Sequence, residues 1–343
     1  MRPTMVEAIG LANPPLRFSQ EEAFQMAGYR SPRLLEIFRN CDIDYRHLYI
    51  KLGQKRDESA TELNARYLAG AMQTGCHAIS SCLKKACKSV ADVDFLAVCT
   101  STGYVCPDLG SRLIGHMRFR ADVNRAVMVG LGCAGAVPTL RRASDFVRAN
   151  PGTTALVLAV EICSACYFVD NAMDTVVGNA ICADGAAAFV VSAGPAQAGH
   201  PAVMDFESYI DSSQMDKVGF ENREGKLRII LSSAVSGLAG PLIESAVDPL
   251  LERNHLNRGD VRFWIAHPGG RKVMDRVQEH FELTEEQLRF SRTVMRNYGN
   301  MSSPTVMFVL DEVVRNGAPQ PGDWGVMVAL GPGMAAEAAL LKW

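Results

Sequence analysis

A cysteine in a glycine-rich turn is the first residue of this sequence that could do chemistry. Cys133 lies in the segment VGLGCAGAVPTL, after Gly130 and Gly132 and before residues that read as a helix. Such glycines permit the sharp kind of turn that presents a nucleophile. The free N–H groups at the start of a helix also favour a thiolate over a thiol. A free cysteine is more often a small buried apolar residue, so this segment alone leaves both interpretations open.

Two other segments hold side chains that could assist a cysteine nucleophile. His267 ends an apolar run in WIAHPGG, where a histidine could accept the proton of a thiol. Asn300 lies in YGNMSS, where a side-chain amide could donate to a developing oxyanion. Each has an ordinary structural interpretation too, because histidine often makes structural hydrogen bonds and asparagine often lies in turns and helix caps. The functional interpretation therefore requires a fold that brings the three residues together.

An internal repeat predicts how the fold does this. Cys133 follows Phe95 by 38 residues and Asn300 follows Phe263 by 37 residues, and the two phenylalanines end the similar sequences DVDF and DVRF. A helical segment, a Pro-Gly turn and another apolar strand follow each candidate residue. Cys133 and Asn300 are thus expected to begin equivalent helices in two similar units. His267 follows the strand that begins at Phe263, at the strand end where α/β sheets bind ligands.

The repeat also predicts the architecture of the chain. Strand-like and helical segments alternate along it, which is typical of an α/β fold. We expect two duplicated halves, residues 1–195 with the cysteine and residues 196–343 with the histidine and the asparagine. They would be joined at the Gly-, Pro- and Ala-rich segment AGPAQAGHPA, residues 193–202.

Composition excludes several classes of function. The 343 residues carry a net charge of −2, which gives no electrostatic reason to expect a nucleic acid or an anionic membrane as partner. No segment approaches the roughly 20 apolar residues of a membrane-spanning helix, and the N-terminal sequence lacks the pattern of a signal peptide. We therefore expect a soluble, cytoplasmic protein with free thiols. The single C-x-x-C, Cys163–Cys166, has no second pair to complete a zinc site, so no metal is expected.

The motifs resemble those of the type III polyketide synthases, the family of chalcone synthase. The similarity extends from AIGLANPP to GPGMAAE and includes GCAG, WIAHPGG, YGNMSS and ALGPG. It implies a thiolase-type fold, with two halves stacked in αβαβα layers, in a homodimeric acyltransferase. In that family's chemistry, Cys133 would carry the acyl chain as a thioester. His267 and Asn300 would hold the thioester carbonyl of malonyl-CoA while CO₂ leaves. CoA thioesters would be the substrates, and no other cofactor is implied.

Within this family the sequence is similar to the bacterial 3,5-dihydroxyphenylacetyl-CoA synthases, which condense malonyl-CoA units only. The segments ICSACYFVDNAMDTVVGNA and HPGGRKVMD carry this similarity. The expected activity is iterative decarboxylative Claisen condensation of malonyl-CoA to a small aromatic compound or pyrone. Two alternatives stay open at this point. One is a synthase of alkylpyrones or alkylresorcinols that is primed by a long-chain acyl-CoA. The other is a ketosynthase or acyltransferase that makes a single condensation.

The resemblance further implies a pocket and a CoA site. Pocket residues would be Cys106, Cys163, Cys166, Cys182, Ile229, Ser302, Gly331, Pro332 and Gly333. CoA contacts would come from Arg39, Arg46, Gly269, Gly270, Arg271 and Lys272. The sequence has Cys182 where chalcone synthases carry a gatekeeper phenylalanine, and Cys106 where a residue reaches into the neighbouring subunit. The pocket cysteines are expected to be small fillers; a chemical role of Cys106 or Cys182 as carrier of an intermediate is the alternative.

Overall fold

The computed structural model describes residues 3–50, 58–194 and 199–343. The expected boundary between the halves, at residues 195 and 196, lies outside the described residues. The strands are β1 (Thr4–Ala12), β2 (Arg17–Ser19), β3 (Tyr45–His47), β4 (Phe95–Thr100), β5 (Asn124–Val129), β6 (Thr154–Ile162), β7 (Asp184–Ala193), β8 (Ala202–Ile210), β9 (Val218–Arg223), β10 (Lys226–Leu231), β11 (Val261–Ala266), β12 (Trp324–Gly331) and β13 (Ala335–Lys342). The helices are α1 (Gln20–Ala27), α2 (Pro32–Arg39), α3 (Ala60–Lys85), α4 (Leu109–Met117), α5 (Ala136–Ala149), α6 (Met173–Ile181), α7 (Val235–Arg253), α8 (Arg271–His280), α9 (Glu285–Tyr298) and α10 (Pro304–Asn316).

The main sheet shows the duplication directly. Its strand order is β11-β12-β13-β8-β1-β7-β6-β4-β5, and β1 meets β8 at only two residue pairs in the middle. Outward from this seam, β7 and β13 are antiparallel to their neighbours on both sides, whereas β4 and β11 run parallel to β6 and β12. The predicted α/β fold of two similar halves is confirmed. Only β5, at one edge, has no counterpart in the other half among the described strands.

The repeated sequences DVDF and DVRF have the same local structure. Each strand that begins near the repeated phenylalanine is preceded by a one-turn 3₁₀ helix, Val90–Asp92 before β4 and Arg258–Asp260 before β11. In each turn an aspartate accepts a hydrogen bond from the backbone of the capping residue, Ser89 or Asn257. Reciprocal caps of this kind satisfy backbone donors that the chain would otherwise leave open. The repeat therefore fixes where both strands begin.

Apolar side chains place the helices in three layers, which alternate with the two half-sheets. Leu140 of α5 and Leu310 of α10 are fully buried in one cluster between the two half-sheets. On the outer faces, Ile79 of α3 covers the first half and Leu250 of α7 covers the second. Burial of each such leucine or isoleucine stabilises the fold by about 2 kcal/mol. The resulting αβαβα stack puts the first turns of α5 and α10, and hence Cys133 and Asn300, in the central layer.

No helix in the described ranges is both long enough and apolar enough to cross a membrane.

Candidate active site

One open cavity, with about 910 Å³ of empty space that includes solvent at its mouth, brings the three candidate residues together. Cys133 lies in the 3₁₀ turn Gly132–Ala134 that leads into α5. His267 directly follows β11, and Asn300 lies between α9 and α10. The three side chains line the cavity although two of them belong to one half and the third to the other. This is the arrangement expected when equivalent helix starts from two halves face each other.

The turn that carries Cys133 packs tightly against the turn after β12. Gly132 has a φ of +52°, and a Cβ atom added there would lie 2.6 Å from Cδ of Pro332. A Cβ atom at Gly331 would lie 2.5 Å from the carbonyl oxygen of Leu131. Neither position has room for a larger residue without moving the cysteine. The Gly132 N–H donates to the hydroxyl of Ser101 at 2.8 Å, which fixes the turn from the other side.

The Cys133 thiol is held in its neutral form by its surroundings. Burial raises its pKa to about 12, and a hydrogen bond from the Ser302 side chain only partly offsets this effect. The Sγ atom lies 3.8 Å from Oδ1 of Asn300. A thiol in this setting does not ionise alone at neutral pH, so the chemistry needs a neighbour that takes up its proton.

The imidazole ring of His267 lines the same cavity and has a nitrogen that could take up this proton. Burial lowers the pKa of its imidazole to about 3, so the ring is neutral at physiological pH. Both ring nitrogens are buried and have no hydrogen-bond partner within the described part of the chain. A neutral imidazole has one donor and one acceptor nitrogen. Buried polar groups are almost always hydrogen-bonded, so an orphaned ring at a cavity wall indicates that a ligand completes its bonding.

Asn300 is fixed by its own backbone and by two side-chain bonds. Its N–H donates to the carbonyl of Ile181 at 2.9 Å, and its carbonyl accepts from the N–H of Ala183 at 2.8 Å. The side-chain Nδ2 donates to the carbonyl of Gly269 at 3.1 Å, while Oδ1 accepts from the Ser302 N–H at 2.8 Å. A primary amide has two N–H donors. One of them is therefore left for a substrate, and its direction is set by four hydrogen bonds.

The structure places most of the expected pocket residues at the cavity and three elsewhere. Those at the wall are Cys163, Cys182, Ile229, Ser302, Gly331 and Pro332. Cys166 does not line the cavity; it is buried behind the wall and its Sγ donates to the Thr102 carbonyl at 3.2 Å. Gly333 is also outside the lining, beside Ile210. Cys106 is exposed and does not line this cavity.

The expected CoA residues divide in the same way. Gly269 lines the cavity, and Gly270 precedes α8, at whose start Arg271 and Lys272 are exposed. Arg39 is exposed as well, but it is paired with Glu21 and Glu36.

The prediction that Arg46 contacts CoA is wrong. The side chain is fully buried, and Nη1 donates to the carbonyls of Asn179 at 2.6 Å and Cys182 at 2.7 Å. A guanidinium in this position supports the cavity wall from behind and cannot reach a phosphate at the surface.

One wall of the cavity and one buried carboxyl group were not predicted from the sequence. One wall of the cavity comes from the hairpin β9–β10, of which only Ile229 was predicted. The missed carboxyl is that of Glu161, which is fully buried near the cavity. Its Oε2 accepts from the N–H of Ser101 at 2.8 Å and from the N–H and hydroxyl of Thr102, and its Oε1 accepts from the Ser303 hydroxyl at 2.9 Å.

Glu161→Gln is expected to make the stability less sensitive to pH. Burial raises the pKa of Glu161 from 4.5 to about 7, although its hydrogen bonds act in the opposite direction. The folded state thus holds a proton that the unfolded chain releases, so stability falls as pH rises through this interval. Between pH 5 and 8 the free energy of unfolding should fall by up to about 3 kcal/mol more in the wild type than in the variant. Urea unfolding at both pH values measures this difference.

Glutamine suits the site, because its oxygen can replace Oε2 and its amide N–H can donate to Ser303. Asp184, whose pKa burial raises to about 6, contributes the same pH dependence to both proteins and cancels in the comparison. Equal loss of stability in the two proteins would show that Glu161 ionises normally in the folded state.

Comparison with known proteins agrees with this geometry. Residues 46–195 match the chalcone and stilbene synthases, N-terminal domain, and residues 209–343 match the C-terminal domain of the same family. The chain is 32% identical to a 3,5-dihydroxyphenylacetyl-CoA synthase of Amycolatopsis orientalis, over 99% of this chain and 94% of the relative. It is also 32% identical to a 1,3,6,8-tetrahydroxynaphthalene synthase of Streptomyces peucetius subsp. caesius, over 100% of this chain and 94% of the relative.

Solved structures give the same answer. The chain superposes on PKS-I from the brown alga Ectocarpus siliculosus with a TM-score of 0.91, at 28% identity over 100% of this chain and 98% of that one. It superposes on 1,3,6,8-tetrahydroxynaphthalene synthase from Streptomyces coelicolor A3(2) with a TM-score of 0.90, at 25% identity over 99% of both chains. The chain therefore belongs to the chalcone and stilbene synthase family, the type III polyketide synthases, and is an acyltransferase that uses CoA thioesters.

Proposed function

We propose that this protein condenses malonyl-CoA iteratively, without another starter, and releases a small aromatic polyketide or pyrone. The observation that carries the proposal is the cavity in which the Cys133 sulfur lies 3.8 Å from Oδ1 of Asn300 and whose wall also contains the orphaned ring of His267. The product class is supported by the 32% identity to the 3,5-dihydroxyphenylacetyl-CoA synthase. The catalytic roles are those expected from the sequence motifs.

The first step loads Cys133. Burial opposes a lone thiolate and a lone imidazolium, so the two charges form together when the thiol proton moves to a ring nitrogen of His267. The thiolate attacks the thioester carbonyl, and the C–S bond to CoA breaks. The leaving CoA thiolate takes the proton back from the imidazolium. His267 is then neutral again, with one N–H available as a donor.

The second step forms the carbon nucleophile. Malonyl-CoA loses CO₂, and the electron pair of the broken C–C bond passes into an enolate whose charge lies on the thioester oxygen. The His267 N–H and the free N–H of Asn300 donate to that oxygen. Each such donor is worth about 3 kcal/mol in an enclosed site. Neutral donors suit the step because they leave no uncompensated charge when the substrate departs.

The third step lengthens the chain. The enolate carbon attacks the acyl group on Cys133, the C–S bond breaks, and the extended chain is then carried by CoA. Cys133 is left as a thiolate and takes a proton from water, because the proton of the first step left with CoA. Return of that chain to Cys133 permits another cycle. The cavity supports such cycles because most of its lining is apolar, including Val218, Phe220 and Leu231. An apolar wall disfavours water, which would hydrolyse the thioester.

Arg271→Ala with Lys272→Ala is expected to weaken binding of malonyl-CoA. We propose that these exposed residues contact the CoA phosphates together with the free N–H groups at the start of α8, which has no side-chain cap. The KM for malonyl-CoA should rise about tenfold with little change in kcat. The rise in KM should be smaller at high salt, because salt screens the charges. Arg276→Ala is the matched control, because that arginine lies on the same helix in an ion pair with Glu279. An unchanged KM in the double variant would remove these two residues from the CoA site.

We also propose that the protein is a homodimer. Strand β5 ends the main sheet, and Val129 at its end is half exposed. Exposed edge strands readily pair with a strand of another chain, and a second copy of this protein would supply such a strand. Cys106 is exposed and would contribute to the partner's cavity. Light scattering should give twice the mass of the chain; a monomer at all concentrations would contradict the proposal.

Incubation with [¹⁴C]malonyl-CoA alone, followed by chromatography and mass determination, tests the proposed function. A triketide or longer product formed without another acyl-CoA is the expected result. If product forms only when a long-chain acyl-CoA is added, that acyl-CoA is the starter and the proposed use of malonyl-CoA alone is wrong. A diketide product would show a single condensation in place of iteration. Release of CoA without chain extension would show acyl transfer alone.

A further inference from the structure

The hairpin β9–β10 forms a wall of the cavity without belonging to the main sheet. Among the strands that the structure describes, β9 and β10 pair only with each other, around a two-residue turn in which Glu224 and Gly225 both have positive φ. This geometry is typical of a tight hairpin turn. An isolated two-stranded hairpin is marginally stable in water. The position of this wall therefore depends on what anchors the hairpin to the rest of the protein.

The side chains of the hairpin that reach the cavity come from both strands. Phe220 lies directly opposite Ile229, and Val218 lies directly opposite Leu231, and all four line the cavity. Because neighbouring side chains on a strand point to opposite sides, Arg228 faces away from the cavity and is absent from its lining.

Arg228 meets three carboxylates on that other side. Its Nε donates to Asp170 at 3.1 Å, and Nη1 and Nη2 donate to the two oxygens of Asp174 at 3.2 and 3.1 Å. Nη1 also donates to Glu221 of the opposite strand at 3.2 Å. The side chain of Arg228 is only 10% exposed, and those of Asp170 and Asp174 are 25% and 27% exposed. Pairs this well covered, with a two-pronged contact, are stronger than ordinary surface ion pairs.

Asp170 and Asp174 connect the hairpin to a second part of the cavity wall. Asp174 lies in the first turn of α6, whose last residue, Ile181, lines the cavity together with Cys182. Further along α6, a Cβ atom at Gly178 would lie 2.7 Å from Ile229. The hairpin and α6 are thus in direct contact beside the cavity, with the Arg228 cluster at one end of that contact.

The carboxylates of this cluster would repel one another if the Arg228 side chain were removed. One guanidinium faces three carboxylates, so its removal leaves like charges on the hairpin and on α6 next to each other. Repulsion between them would favour separation of the two elements. The Ile229–Gly178 contact and the apolar wall in front of it would then loosen.

We propose that Arg228 is a positioning residue that sets the shape of the cavity in which the polyketide chain folds. It thereby determines how many malonyl units are added before release. Arg228 does not touch the substrate; it acts through Ile229 and Phe220. This inference rests on the proposed iterative condensation, and it assigns chain-length control to an ion cluster outside the cavity.

Arg228→Met tests the proposal through the distribution of products. The rate of acyl transfer to Cys133, measured by mass spectrometry of the intact protein, should change by less than about twofold. The share of prematurely released triketide among all products should rise by about threefold or more. Hydrogen exchange in residues 218–231 should become about tenfold faster, whether or not the enzyme makes the proposed product. An unchanged product distribution in the folded variant would overturn the proposal.

Two further variants separate positioning from loss of stability. Arg258→Met removes ion pairs with Glu244 and Asp248 from a cluster that does not line the cavity, and it should leave the product distribution unchanged. Adding Asp174→Asn and Glu221→Gln to Arg228→Met removes most of the repulsion. This triple variant also serves if the single variant does not fold. It should restore at least about half of the wild-type product ratio; no recovery would contradict the electrostatic cause.

Failure of this inference can be told from failure of the proposed function. If the wild-type enzyme makes no extended product from malonyl-CoA, the proposed function is wrong, and the hydrogen-exchange result still tests the anchor. If the wild type makes the product and Arg228→Met makes it in the same proportions, only the role of Arg228 is wrong.

Discussion

Replacement of Cys133 by alanine is expected to abolish acyl loading and every extension step while malonyl-CoA is still decarboxylated slowly. The sulfur is the only group proposed to form a covalent bond with the chain, so extension should fall by about 10⁴-fold or more. Decarboxylation depends on His267 and Asn300, and Asn300 is held by contacts that do not involve the sulfur. Mass spectrometry of the intact protein measures loading, and release of labelled CO₂ measures decarboxylation.

Other thiols in the cavity make the assignment of the acyl site important. Cys163 and Cys182 both line the cavity. Peptide mapping of the loaded wild type should find the acyl group on Cys133 alone. Cys76→Ala, which removes a half-buried thiol from α3 outside the cavity, serves as the control and should load normally. An acyl group found on Cys182 or Cys106, or extension retained in Cys133→Ala, would contradict the assigned role.

The position of the three candidate residues could be predicted because short segments determine it. Gly132 needs no partner to permit its positive φ, and the helix after Cys133 follows from the local sequence. The repeat then relates Cys133 to Asn300, since each follows its strand start by nearly the same number of residues. These features depend on residues close in sequence and on a repeated unit, and a sequence shows both.

The burial of charged residues could not be predicted in the same way. Arg46 reads as a surface residue, and only the fold shows that its partners are the distant carbonyls of Asn179 and Cys182. The donors to Glu161 come from Ser101 and Thr102 in one half and from Ser303 in the other. Such partners are set by how the halves pack. A single sequence carries no sign of which charge the packing will enclose.

The hairpin β9–β10 could be predicted from the sequence only in part. The sequence VGFENREGKLRIIL, residues 218–231, alternates in its apolar positions around a Glu-Gly turn, so the two strands were within reach of prediction. Their place at the cavity was not, because it depends on the ion cluster around Arg228 and on the Gly178–Ile229 contact. Residues that shape the pocket are therefore harder to find from the sequence than residues that do the chemistry.

Asn300→Ala is expected to lower the rate of malonyl-CoA decarboxylation by about 10² to 10³-fold. The reason is the loss of an N–H aimed at the enolate oxygen, since one such donor in an enclosed site is worth about 3 kcal/mol. The backbone bonds of residue 300 to Ile181 and Ala183 do not need the side chain, so the loop should keep its place. The measurement is CO₂ release in the Cys133→Ala background, where loading cannot obscure the result.

His267 variants complete this test, because they separate its two proposed roles. His267→Gln keeps a neutral N–H donor but cannot take up a proton, so it should retain more decarboxylation than His267→Ala. Both variants should slow alkylation of Cys133 by iodoacetamide at pH 7 by about tenfold, since the thiol has lost its proton acceptor. Equal decarboxylation in the two variants would argue against the histidine as a donor.

The pH dependence of decarboxylation decides which form of His267 acts. Burial lowers the pKa of its ring to about 3, so above that pH the ring stays neutral, and protonation should not alter the rate between pH 5 and 8. The rate of Cys133→Ala should therefore be flat over this interval. Glu161 and Asp184 also titrate in this interval. A rate that rises as pH falls through 6, and that no longer rises when His267→Gln is added, would therefore show that the imidazolium is the donor. The buried ring would then need a compensating negative charge, and the substrate carboxylate is the group in the proposed reaction that could bring one.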